Sequence, residues 1–258
     1  MDNEMKREAE VIEKLPIGKE QIRKASQILQ KYKEGKANLE RRLIENEEYW
    51  KLNHWSQMSP KHMNQNDPRP ESAWLFNSIN NKHADAMDNY PEPNILPREE
   101  SDKAAAKSLS EIVPVILERC GYEDTYSSAW WDKLKGGTAV YGVFWNNNLM
   151  NGLGDVDIRL IDMLDIFWEP GIKRLEESRN LFIVELVDNE VLEESYPETV
   201  GKLAGSATMN IAQYHYDDAV DTSEKSAVVD WYYKKGNRLH YVKYVNDILL
   251  YASENEPE

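Results

Sequence analysis

Tyr122–Pro170 reads YEDTYSSAWWDKLKGGTAVYGVFWNNNLMNGLGDVDIRLIDMLDIFWEP, a helix, a glycine break and two strands in succession. Tyr126, Ala129, Trp130 and Leu134 recur at steps of three and four, the spacing of one helix face. Gly136 and Gly137 stop that helix, because glycine tolerates the left-handed geometry of a helix C-terminus. Thr138 to Trp145 is β-branched and aromatic with no charge, which predicts a strand buried on much of both faces. Trp145 is accordingly expected inside. Asn146 to Gly154 is a turn cluster. Asp155 to Leu160 alternates strictly, predicting Val156, Ile158 and Leu160 inward and Asp155, Asp157 and Arg159 outward. The expectation is an antiparallel hairpin with one wet face, followed by Ile166, Phe167 and Trp168 and closed by Pro170-Gly171.

Upstream, Met1 to Leu15 is charged and reads as a frayed helix, broken by Pro16 and Gly18. Lys19 to Trp55 reads as one long helix. Its seam is Ile22, Ala25, Leu29, Tyr32, Leu39, Leu43 and Trp50, interrupted by Lys36 and Asn46. Such a seam packs on its own domain or on a neighbouring subunit, while a free-standing coiled coil is disfavoured by its two polar positions. Ser56 to Pro70 is a polar, proline-bearing loop. Ser72 is the expected N-cap of a helix over Ala73–Asn89, ended by Pro91 and Pro93. A further helix runs over Asp102–Cys120, with Leu109, Ile112, Val113, Ile116 and Leu117 as its buried face. Pro114 is expected to kink or divide it. Downstream, 181–187 is a strand and Asn189–Tyr196 a short helix ended by Pro197. The segments 227–234, 238–245 and 248–252 form an antiparallel meander, with turns at Gly236-Asn237 and Asn246-Asp247. The fold class is α+β: long N-terminal helices with antiparallel hairpins and a meander. The expected domains are an arm and loop over 1–70, a helical and β-hairpin core over 71–200, and a β-meander over 201–258 that reads as cut short.

The chain has 258 residues and a formal net charge of −15. The acid is concentrated late: residues 1–50 carry 11 basic and 11 acidic side chains, and residues 151–258 carry 10 and 22. Such a surface repels phosphate and does not grip nucleic acid by counterion release. It remains compatible with DNA sliding past. No apolar run approaches the ~20 residues that span a bilayer, and the charged N-terminus has no signal-peptide core. A single cysteine, Cys120, excludes an internal disulfide framework and reads as a small packed residue near a helix end. Eight tryptophans and fourteen tyrosines point to large packed contacts, within the chain or between subunits.

Little in the chain is built for catalysis. The acids Asp155, Asp157, Asp162, Asp165 and Glu169 are the strongest candidates, since two-metal hydrolases need converging carboxylates. A metal-dependent phosphoesterase using Asp155, Asp157 and Asp162 is therefore one alternative. No histidine or lysine stands beside them in the sequence to complete a site, and a solvated strand face gives the same pattern. His215 with Asp217 and Asp218, and His54 with His62, are weaker clusters. Gly152-Leu153-Gly154-Asp155 joins two strands, whereas a phosphate loop leads into a helix and carries a lysine. No catalytic, cofactor-binding or metal-ligating residue is assigned, and no cofactor is expected. A second alternative is an assembly adaptor that binds through the Lys19–Trp55 helix.

Three runs in fixed order resemble the portal, or head-to-tail connector, proteins of tailed bacteriophages. They are WLFNSINNKHADAMDNYPEPNILPREESDKAA (74–105), GGTAVYGVFWNNNLMNGLGDVDIRLIDMLDIFWEPG (136–171) and SRNLFIVELVD (178–188). The resemblance implies a structural subunit of a dodecameric ring at one capsid vertex. Its implied partners are its own copies, the terminase large subunit, the capsid and the tail connector proteins. Double-stranded DNA passes through the channel without sequence recognition, and no membrane is involved. The implied locations are the portal vertex of the virion and, during assembly, the host cytoplasm. Such proteins are longer, so the chain resembles an N-terminal portion corresponding mainly to the wing.

Overall fold

A computed structural model describes residues 16–57, 66–203, 224–236 and 238–255. The contacts divide the chain into two compact units, Met1–Glu40 with Leu164–Glu258, and Arg41–Met163. Helices with antiparallel sheets make the fold α+β. The Met1–Leu15 helix and the His215 cluster fall outside the described residues, as does most of the Ser56–Pro70 loop.

In the first unit, helix α1 (Lys19–Trp50) contributes its N-terminal part. Strands β3 (Ile166–Trp168), β4 (Asn180–Asp188), β5 (Lys225–Lys235), β6 (Arg238–Val245) and β7 (Ile248–Ala252) form one sheet in the order β3-β4-β5-β6-β7. Each strand pairs antiparallel with its successor in sequence, so the meander extends back to Ile166. The seam residues Ile22, Ala25, Leu29 and Tyr32 are buried in one cluster with Phe167, Phe182, Val184, Trp231 and Tyr244. Tyr32 meets Phe182 edge-on at 5.8 Å. This half of the seam therefore packs on its own sheet. A smaller cluster, Leu192, Leu203, Val228 and Val245, includes Leu192 of the short helix α6 (Asn189–Ser195). Gly35 is needed for close approach: a Cβ there would meet Pro170 Cγ at 2.5 Å.

Lys36 departs from expectation. It does not interrupt the seam but continues it, buried, with its Nζ 4.3 Å from the Phe167 ring centroid and 3.4 Å from Glu40 Oε1. A lysine stem covers apolar surface while its charge faces an aromatic ring and a carboxylate.

The second unit holds the end of α1 and helices α2 (His54–Gln57), α3 (Trp74–Asp88), α4 (Lys103–Arg119) and α5 (Tyr122–Gly136). It also holds the hairpin of β1 (Val140–Asn146) and β2 (Asp155–Ile161). Helix α1 stops at Trp50, short of the expected Trp55, where Leu52 takes a positive φ of 63°. The N-cap of α3 is Ala73 without a side-chain bond, so Ser72 does not cap it. Helix α4 runs through Pro114 undivided. Gly137, at φ 83°, ends α5 as its sequence predicts. An aromatic stack ties the helices together: Phe76 on Trp50 at 4.6 Å, Trp50 on Trp131 at 5.2 Å and Trp131 on His83 at 3.9 Å.

Three expectations about burial are corrected by the structure. Trp145 is 63% exposed and Val143 68%, so β1 is not buried on both faces. On α4, Leu109 and Ile112 are exposed, and only Ala106 is buried. The strict alternation of β2 is also lost, since Asp155 and Asp157 are half-buried like Val156 and Ile158. On β2 the carboxylates are covered by Arg119 and Arg159, whereas the first two corrections have one cause. Apolar periodicity marks a face that favours burial, and it reads the same whether the cover is the same chain or another one.

Candidate assembly interface

The acids singled out as a possible metal site are divided between the units, and Asp155, Asp157 and Glu169 are engaged with arginines. Asp155 pairs with Arg119 and accepts the Val156 N–H at 2.9 Å. Asp157 accepts from Arg159 Nε at 2.7 Å and Asn146 Nδ2 at 3.3 Å. In the other unit, Glu169 receives Arg179 through two bonds of 3.0 and 2.6 Å, which hold its carboxyl below the usual range. Asp162 faces Asp132, a group that sequence reasoning did not single out. Burial first, then the negative charges of Asp162 and Glu47, push the Asp132 carboxyl up to about 6 against the pull of Lys135. Lys135 is itself bonded to Glu47 at 2.7 Å. Among the described residues no group of three or more His, Cys, Asp or Glu is placed to hold a metal ion. His54 lies against the Tyr49 ring at 5.5 Å, and His62 is outside the described residues.

Cys120 caps α4, half-buried, and its Sγ–H donates to the Val156 carbonyl at 2.9 Å. Burial and the nearby Asp155 and Asp157 raise its pKa. A raised thiol is a poor nucleophile, which fits a packed role.

The conspicuous surface of the second unit is apolar. Most exposed large apolar side chains among the described residues lie in 41–163, including Trp74 at 82% and Leu153 at 81%. Leu109, Ile112 and Val115 stand along one side of α4. On the hairpin, Tyr141 lies opposite Leu160, Val143 opposite Ile158, and Trp145 opposite Val156. Directly opposed residues share a face, so one face of the two-stranded sheet is apolar throughout. The Tyr141 ring adjoins a cluster: Tyr122 at 6.0 Å, with Tyr126 at 6.1 Å from Tyr122 and Tyr90 at 5.1 Å from Tyr126. Burial and the adjacent Tyr122 push the Tyr141 hydroxyl up to about 12, so it stays neutral at physiological pH. Aromatic, uncharged surface of this kind is what protein–protein contacts enrich. Its sequence signal was the uncharged run from Gly136 to Gly154.

A family model described as Phage P22-like portal protein matches residues 27–256. The chain belongs to that portal family. The match spans both units and all seven strands, and extends well past the three runs that carried the resemblance. No curated protein matches the chain. Portal proteins are structural components of the head-to-tail connector of the virion, and their family implies oligomeric assembly with capsid and packaging components. Among the described residues of this portal chain, no helix is long and apolar enough to cross a membrane.

Proposed function

We propose that the chain is a subunit of a ring at the portal vertex, through which double-stranded DNA enters and leaves the capsid. The observation that carries this reading is the exposed apolar surface of residues 41–163 on a family member whose net charge of −15 opposes casual association. A chain that repels its own copies at long range needs uncharged contact area to assemble. A dodecamer, contacts with the terminase large subunit, the capsid and the tail connector proteins, and assembly in the host cytoplasm complete the reading. The acidic surface fits a conduit that lets DNA slide without holding it. No catalytic role is part of it.

Sedimentation velocity over a wide concentration range, with electron microscopy of the largest species, tests this. Association into closed rings is expected. A monomer at every concentration, or assembly that needs DNA, counts against it.

A further inference from the structure

In an antiparallel pair, opposed residues alternate between those bonded across to the partner strand and those whose backbone groups point away. Val156 is of the second kind. Its N–H donates to Asp155 Oδ1 and its carbonyl accepts from Cys120 Sγ, both at 2.9 Å. By the same alternation Ile158 turns its backbone groups toward this edge. The outer edge of β2 is thus occupied by the end of α4.

The register carries the alternation to β1. Val156 opposes Trp145, Ile158 opposes Val143 and Leu160 opposes Tyr141. Tyr141, Val143 and Trp145 therefore turn their N–H and C=O groups toward the outer edge of β1. No further strand of the described chain lies there, since this sheet has only β1 and β2. The same three residues carry exposed side chains. Natural edge strands are blunted by lysine, proline or inward charge. This one has none, and the run Gly136–Gly154 contains no charge and no proline.

We propose that the outer edge of β1 is completed by an extended segment of a second copy of this chain, added as a third strand that covers Tyr141, Val143 and Trp145. The proposal rests on the ring reading above. The edge carries no charge with which to select an ionic ligand, and its exposed uncharged aromatic side chains are the surface that protein–protein contacts enrich, which in an oligomeric family favours a second copy. Pairing of β1 with its own equivalent would be twofold and stop at a dimer. The added segment is therefore a different part of the neighbouring copy, making the contact head-to-tail.

The test is hydrogen exchange read at single residues on the full chain, at low and high concentration, alongside sedimentation velocity. On association the amides of Tyr141, Val143 and Trp145 are expected to slow by roughly a hundredfold. That of Val156, already bonded to Asp155, is expected to change little. Val143→Lys should raise the concentration needed for association by about tenfold or more, as edge lysines do, with an unchanged melt. Should that variant melt early, the exchange of the unaltered chain decides alone. Association with the three amides still exchanging freely overturns the strand addition and leaves the ring reading standing. Protection in an assembly that stops at two overturns the head-to-tail contact. A chain that never associates overturns both.

Discussion

Asp132 is where a single proton matters most. Its carboxyl sits at about 6 in the folded chain against 3.8 for the free group, because burial and the charges of Asp162 and Glu47 disfavour its ionised form. The folded state therefore binds this proton more tightly than the unfolded state. The corresponding stability is fully present below about pH 4 and is lost as pH rises through 6, about 1–2 kcal/mol once solvent screening of this partly exposed group is allowed for. Asp132→Asn should remove that slope: a higher melting temperature than the parent at pH 7.5, converging near pH 4. Parallel melting curves at both pH values would show that Asp132 is not the group responsible. Lys36 offers a second residue-scale test. Glu40→Ala takes away the carboxylate 3.4 Å from a buried ammonium, and should destabilise by ~1–3 kcal/mol. Lys36→Met keeps the volume over Phe167 and removes the charge, and should be neutral or stabilising. Chemical denaturation of the two variants checks the contrast.

At the scale of elements, two substitutions separate core from surface. Leu29 is fully buried between α1 and the sheet, so Leu29→Glu should cost at least ~4 kcal/mol and unfold its unit, not merely weaken association. Trp145→Ala, by contrast, should change stability by less than ~1 kcal/mol and lower self-association. Circular dichroism melts with sedimentation on each variant tell these outcomes apart. The elements themselves were legible. Gly137, Pro197 and the turns at Gly236 and Asn246 punctuate the chain, and the strands of the meander fall within a residue or two of their predicted bounds. What α4 and β1 turn outward was not legible, because Leu109, Ile112, Val143 and Trp145 carry the same pattern whatever covers them. Lys36 was misread for a related reason. A charge breaks a seam by residue type, yet its aliphatic stem can fill the position once a ring and a carboxylate receive the ammonium. The candidate interface was visible only as an uncharged run, without its free edge.

For the molecule as a whole, the pairing of Asp155 with Arg119, Asp157 with Arg159 and Glu169 with Arg179 leaves these acids committed to structure. No turnover of ATP or phosphodiesters is expected with magnesium or manganese; activity that disappears in Asp157→Asn would contradict this. The association of α1 with its sheet has a further consequence, in time. Every strand from β3 to β7 finds its partner among its sequence neighbours, whereas Leu29 and Tyr32 wait for Phe182 and Trp231, some 150 to 200 residues later. At ribosomal speeds that delay is roughly 10 to 40 seconds. Throughout it the nascent helix carries an uncovered greasy stripe, so cotranslational helpers that shield Ile22–Tyr32 should decide yield in the cell, and refolding from denaturant should aggregate least when the sheet forms fastest.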